Sequence, residues 1–124
     1  MIAADTSSLV AFLDGSSGQD VELVAAASAF GQLALPPVVI TEILSDAMSS
    51  EALGAILPDV ALLEPGEGYW ARAGMSRQLL RRHGLKAKVG DALIAQSCLD
   101  HDVALITRDS DFRHFAKHCG LKLA

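Results

Sequence analysis

Five acidic residues stand in or beside apolar segments, at places where the chain is set to turn from strand to helix. They are Asp5 in Ile2-Ala-Ala-Asp-Thr-Ser-Ser, Glu42 in Val39-Ile-Thr-Glu-Ile-Leu, Asp91 in Val89-Gly-Asp-Ala-Leu-Ile-Ala, and Asp109 and Asp111 in Leu105-Ile-Thr-Arg-Asp-Ser-Asp-Phe. A carboxylate among buried residues is costly unless it is paired, protonated or bound to a cation. If the fold gathers four or five of them, mutual repulsion forces partial protonation or recruits a divalent metal. Hard oxygen donors favour Mg²⁺ or Mn²⁺. A carboxylate-held metal can offset the charge that develops on a phosphodiester and activate water near neutral pH, so the pattern suggests metal-dependent phosphodiester hydrolysis.

Each acid also has a purely structural use. Asp5 and Asp91 suit helix caps, Asp109 and Asp111 suit turns, and Glu42 suits an arginine partner. Their joint placement at strand ends and helix starts favours a shared site. Asp46, one turn after Glu42, is a candidate auxiliary group.

The elements that must position these acids alternate along the chain. A short buried strand over 2–5 precedes a helix through Leu9 and Leu13, with N-cap chemistry expected from Thr6, Ser7 and Ser8. A helix over about 20–30 ends at Gly31, and Leu33-Ala-Leu35 reads as the second strand. Pro36-Pro37 opens the helix that carries Glu42. A short helix over 51–57 and a strand over 60–63 follow, then a long helix from about Gly68 to His83. The helix opened by Gly90-Asp91 runs to about His101 and feeds the fourth strand, Val103–Ile106. Phe112 to Lys117 form a short helix, and Gly120–Leu123 is a marginal edge strand. Such alternation predicts an α/β fold with a largely parallel sheet and right-handed crossovers. In such sheets sites form beyond the carboxyl ends of the strands, where strand order reverses. If the first and fourth strands are neighbours, Asp5 and Asp109 share one crevice, within reach of Asp91 and Glu42.

The length of 124 residues fits one domain, 1–124, with a core that needs no disulfide staple. No signal peptide is visible, and no apolar run is long enough to span a bilayer; a cytoplasmic location is expected. Cys98 and Cys119 make no zinc motif and read as buried free thiols. His114 and His118 beside Cys119 give only a weak zinc signal. Net charge is −5, which by itself argues against a general nucleic-acid binder. Yet Arg72, Arg77, Arg81, Arg82, Lys86 and Lys88 fall in one stretch. They are candidates for contact with an RNA backbone, against the competing reading of a solvated helix face.

These residues resemble a PIN-domain protein, and more narrowly a VapC toxin of type II toxin–antitoxin systems. The resemblance rests on Asp5 with Thr6-Ser7 behind it, Val-Ile-Thr-Glu42-Ile-Leu, Asp91-Ala-Leu-Ile-Ala, and Thr107-Arg-Asp-Ser-Asp-Phe112. It implies a PIN-like three-layer α/β/α sandwich with a mostly parallel sheet of order 3-2-1-4-5. It implies an Mg²⁺- or Mn²⁺-dependent ribonuclease whose acidic quartet is Asp5, Glu42, Asp91 and Asp109. Asp5, Asp91 and Asp109 would then ligate metal, and Glu42 would position water or accept a proton. Thr6, Thr107 and Asp111 would support the site. A homodimer, an RNA substrate and a cognate VapB-type antitoxin are implied partners. Gly90 before Asp91 and the Ala-rich segment 49–58 depart from the pattern without removing any of the four acids.

Two other Mg²⁺-type readings fail on residues. A receiver-like signalling domain needs an Asp after the third strand and a Lys after the fifth; Glu64 stands at the first of these places. A haloacid-type phosphatase needs a second Asp two residues after the first, where Ser7 stands. A catalytically silent PIN-like scaffold acting through protein or RNA binding is the remaining alternative.

Overall fold

A computed structural model describes all residues from Met1 to Ala124. Strand β1 (Ile2–Ala4) leads into helix α1 (Thr6–Leu13), followed by α2 (Gln19–Ala29), β2 (Leu33–Leu35) and α3 (Pro37–Leu44). A short α4 (Ser50–Ile56) and a 3₁₀ turn (Leu57–Asp59) reach β3 (Ala61–Leu62). The chain continues through α5 (Tyr69–Arg82), α6 (Val89–His101), β4 (Ala104–Ile106) and α7 (Phe112–Cys119). The sheet order is β3-β2-β1-β4 and every pairing is parallel. Consecutive buried residues along β1, β2 and β4 (Ala3 and Ala4, Leu33 to Leu35, Leu105 and Ile106) show that helices cover both faces of the sheet.

The expected order 3-2-1-4-5 holds except at its last position. The fifth strand shrinks to a single parallel bridge, Leu105 to Leu123. Leu105 N donates to Lys122 O and Ala124 N donates to Leu105 O, both at 2.9 Å. A ladder needs successive bridges, and of this tail only Leu121 is buried. The edge position is therefore right and the strand is too short to count as one.

Register decides where the acids go. Ile2, Ala3 and Ala4 lie against Ala104, Leu105 and Ile106, so β1 and β4 end side by side. Asp5 N donates to Ile106 O at 3.1 Å, extending that pairing to the residue before the helix. The strand order reverses at this point, since β2 lies on one side of β1 and β4 on the other. Chains on either side of the reversal diverge to opposite faces and leave a crevice.

Helix α6 forms the floor beside that crevice. Ala92, Ile94, Ala95, Gln96, Ser97 and Cys98 are all buried, so nearly its whole circumference is covered. The small side chains Ala92, Ala95 and Ser97 let neighbouring elements approach closely. The buried Ser97 hydroxyl donates to the Tyr69 hydroxyl, which donates to Leu93 O at 2.7 Å and ties α5 to α6. Twenty-three buried apolar residues form one core, centred on Leu9, Leu33, Leu35, Ile94, Leu105, Ile106, Phe112 and Phe115. Of the two cysteines expected to be buried, Cys98 is, whereas Cys119 is half-buried.

Leu9 is fully buried, one turn after Asp5, where α1 seats on the sheet. Leu9→Ala should cost about 2–5 kcal/mol, the range for a buried leucine truncated in a packed core. Urea denaturation followed by circular dichroism would read this as a lower midpoint at an unchanged slope.

Candidate metal centre

Asp5 is the N-cap of α1, with extended backbone and its Oδ1 accepting from Ser8 N at 2.9 Å. Of the two sequence readings, a cap at Asp5 and a cap among Thr6, Ser7 and Ser8, the first is the one observed. Ser7 Oγ also donates to both Asp5 oxygens, at 3.0 and 2.9 Å. Thr107, just past β4, donates its hydroxyl to Oδ2. The residue is only 2% exposed, and both of its carboxylate oxygens accept hydrogen bonds from these donors. Burial pushes its carboxyl above the ordinary value, while the bonds from Thr107, Ser8 and Ser7 oppose that push.

The Thr107 hydroxyl also accepts from Asp109 N at 2.9 Å. Asp109 Oδ1 in turn accepts from Asp111 N at 2.9 Å. One hydrogen-bonded chain therefore runs from the end of β1 across the end of β4 to Asp111, the N-cap of α7. Asp109 is a turn residue and a cleft residue together, so its structural and chemical uses do not compete. Asp91 is the third residue of α6 and supplies no cap; the N-cap there is Lys88. Glu42 has no arginine partner. Its Oε1 accepts from Thr6 Oγ1 at 2.6 Å. Its other carboxylate oxygen, Oε2, lies over Gly90, where a Cβ would come within 3.3 Å. A glycine before Asp91 leaves room for this carboxylate.

Asp5, Thr6, Ser7, Glu42, Lys88, Asp91 and Asp109 line one open cavity of about 340 Å³, with Val10, Ile94 and Phe112 as its apolar wall. Carboxylate oxygens of Asp91, Asp109 and Asp111 lie within 4.8 Å of one another. Asp91 titrates high, pushed up to about 6 first by burial and then by the charge of Asp109, with Glu42 and Asp111 adding to it. The Lys88 ammonium pulls the other way and does not cancel them. A divalent cation is the counter-charge that such a donor set lacks, and oxygen-only donors fit Mg²⁺ or Mn²⁺. Asp111, expected only as a supporting residue, stands with Asp91 and Asp109 in this triad. Asp5 lines the same cleft but spends much of its hydrogen-bonding capacity on the hydroxyl donors.

The remaining candidates are dispersed. Asp46 is a turn residue outside the cleft, accepting from Met48 N at 3.0 Å. His118 packs against His83 with ring centroids 4.2 Å apart and the rings tilted at 45°, and the histidines join no metal-competent group. The six cations of the basic stretch have different surroundings. Arg72 pairs with Asp100 at 2.7 Å. Arg77 Nε donates to Ala87 O at 2.7 Å, and Arg82 donates to Gln78 Oε1 at 2.8 Å. Arg81 and Lys86 are exposed, and Lys88 enters the acidic cleft. Sequence reasoning missed the role of Ser7, although a serine two residues after an aspartate is a short-range signal for such a bond. It also missed a clasp over the first loop: Arg108 Nε and Nη2 donate to the two Asp20 oxygens at 2.8 and 3.1 Å. Asp20 accepts from Ser8 Oγ as well, and the Arg108 guanidinium holds its carboxyl down at about 2.

The family model for the PIN domain matches residues 2–118. The chain belongs to the PIN-domain family. Solved structures resemble this PIN domain over nearly its whole length. A chain of VapBC2 from Rickettsia felis, bound to a DNA fragment from their promoter, superposes with a TM-score of 0.80 at 17% identity, covering 100% of this chain and 98% of that one. FitAcB from Neisseria gonorrhoeae matches with a TM-score of 0.73 at 19% identity, covering 99% and 96%. A toxin-antitoxin complex from Klebsiella pneumoniae matches with a TM-score of 0.72 at 20% identity, covering 98% and 95%. At such identities the likeness is one of fold. No curated protein matches the sequence significantly.

The Asp91 shift sets a pH dependence for the metal-free PIN domain. Its folded value, about 6, lies above the ordinary 3.8, so the folded state holds the proton more tightly than the unfolded state. This contribution to stability is full below about pH 4 and is lost as pH rises through about 6. Thermal melts in EDTA should therefore fall across that window, and Asp91→Asn should flatten the fall. Equal slopes in the two proteins would remove Asp91 from the crowded cluster. Thr107→Val should cost about 1–3 kcal/mol in a denaturant melt, because it strips a donor from a buried carboxylate.

Proposed function

We propose that this PIN-domain protein is a metal-dependent endoribonuclease, the toxin of a VapBC-type toxin–antitoxin pair. The observation that carries the reading is the cleft in which Asp5, Glu42, Asp91 and Asp109 meet, with the Asp91, Asp109 and Asp111 oxygens within 4.8 Å of one another. Family membership supports nuclease chemistry, and structural neighbours that are toxin–antitoxin complexes support an antitoxin partner. RNA as substrate, Mg²⁺ or Mn²⁺ as cofactor, a homodimer and a cytoplasmic setting belong to the same reading. No helix is long and apolar enough to cross a membrane.

Asp91, Asp109 and Asp111 would hold the cation, with Asp5 facing the same space. When bound, a divalent ion supplies charge neutralisation for a phosphodiester and lowers the pKa of water. The residues of the chain then have separable tasks. Thr6 holds one oxygen of Glu42, which leaves the other to accept a proton from the attacking water. Thr107 and Ser7 fix the Asp5 carboxylate against rotation. Lys88 brings a positive charge to the mouth of an otherwise anionic cleft, where a substrate phosphate must approach. Val10, Ile94 and Phe112 give the open cleft one apolar wall.

Purified protein should cut total cellular RNA into discrete fragments with Mg²⁺ or Mn²⁺ and not with EDTA. Asp91→Asn should abolish cleavage while the circular dichroism spectrum is kept, and Glu42→Gln should lower the rate by about 10²–10⁴-fold, the range for a lost general base. Metal binding by the wild type without any cleavage of RNA would favour the silent-scaffold reading. Cleavage by Asp91→Asn at the wild-type rate would refute the assignment of the site.

A further inference from the structure

The charge of this molecule is partitioned. Between Gly68 and Gly90 the chain carries Arg72, Arg77, Arg81, Arg82, Lys86 and Lys88 and not one acid. A protein of net charge −5 thus holds six positive charges in one segment and a net −11 elsewhere. Arg72 is withdrawn from that set by Asp100. The other five are not paired with carboxylates, and one contact links the groove that three of them line to the segment that carries Lys88. Arg77, Arg81 and Arg82 line a shallow groove with Gly74 and Gln78 on the outer face of α5. The same Arg77 reaches Ala87 O, which anchors the α5–α6 loop through a residue that is itself buried. The next residue, Lys88, lines the carboxylate cleft.

We infer that Arg77, Arg81, Arg82 and Lys86, continued by Lys88, form a track for the sugar-phosphate backbone of an RNA chain whose scissile phosphate lies in the acidic cleft. The inference rests on the ribonuclease reading and adds the route by which the substrate leaves the cleft. Two physical needs favour it. A cleft of four or more carboxylates repels a polyanion, so affinity must come from contacts beyond the reacting phosphate. The gap between α5 and α6 must also be rigid if those contacts are to set the register of the strand. Leu85 N donates to Leu80 O at 3.1 Å, and Arg77 pins Ala87, so the loop is held at both ends. Arg81 and Arg82 stand in the last turn of α5; Arg82 spends one donor on Gln78 and Arg77 spends one on the loop, and each keeps the others for phosphates. Gly74 and Gln78, the other two residues of the lining, add no acid to the groove.

The test is the salt dependence of binding to a fluorescein-labelled oligouridine, followed by anisotropy in EDTA so that the probe stays whole. The variant Arg81→Ala/Arg82→Ala/Lys86→Ala spares Arg77, which holds the loop, and Lys88, which belongs to the cleft. A charge-matched control, Arg72→Ala/Lys117→Ala/Lys122→Ala, removes three cations outside the track. For single strands the slope of log K against log salt is about −0.7 per phosphate contact, so the track variant should lose about two units of slope. The control should keep the wild-type slope. Equal slopes for the track variant and the wild type would overturn the track, as would equal losses in variant and control, which would mean that net charge alone matters. An unchanged slope would also leave the groove to an acidic protein segment. Failure of the wild type to bind the probe would overturn the track as well. Cleavage of cellular RNA by the wild type is read separately, so the nuclease reading can stand while the track falls.

Discussion

The fold and the cleft are both organised around one buried carboxylate. Asp5 sits at the end of a strand in the middle of the sheet, where no water reaches most of its surface. Its charge is tolerable only because Ser8 N, Ser7 Oγ and Thr107 Oγ1 all aim donors at it. Two of those donors are local and come free with the turn into α1. The third is 102 residues away in sequence and is delivered only by the β1–β4 pairing. The same Thr107 hydroxyl accepts from Asp109 N, so satisfying Asp5 also orients the turn that carries Asp109 and Asp111. A slip of one residue between β1 and β4 would take the Thr107 donor from the buried carboxylate and scatter the cluster together.

Stability and chemistry pull against each other around that turn. Asp91, Asp109 and Asp111 are close enough to repel, and Lys88 offsets only part of the repulsion. A fold selected for stability alone would place an arginine here. Arg108, next to Asp109 in sequence, is the obvious candidate, and it is held away by Asp20, whose carboxylate also takes the Ser8 hydroxyl. The clasp ties the loop between α1 and α2 to the end of β4 and commits this guanidinium to Asp20. The structure thereby keeps a site short of positive charge, which a divalent cation can fill.

Much of this was legible in residue order. The alternation of short apolar runs with helical periods, punctuated by Gly31, Pro36, Gly84 and Gly120, is a local signal and marks the elements to within a residue or two. The placement of Asp5, Asp91 and Asp109 at element boundaries is equally local. Other features were not readable. The tail over Gly120–Leu123 has strand-like residues but makes a single bridge, because pairing length depends on what lies beside it. The six cations of one stretch looked alike in sequence. Arg72 is neutralised by Asp100, which is 28 residues away, while Lys88 enters the cleft, and no spacing rule separates them.

Sequence by itself determined the class of element at each position and the identity of the groups that can do chemistry, since caps, turns and periodicity act over a few residues. Tertiary structure decided which carboxylates share a cavity, that Asp111 stands with Asp91 and Asp109, that Asp5 is caged by hydroxyls, and that Asp91 holds its proton to about pH 6. These depend on burial and on distances between residues far apart in the chain. Parallel strand register and helix docking set those quantities, and neither is encoded in any short stretch of residues.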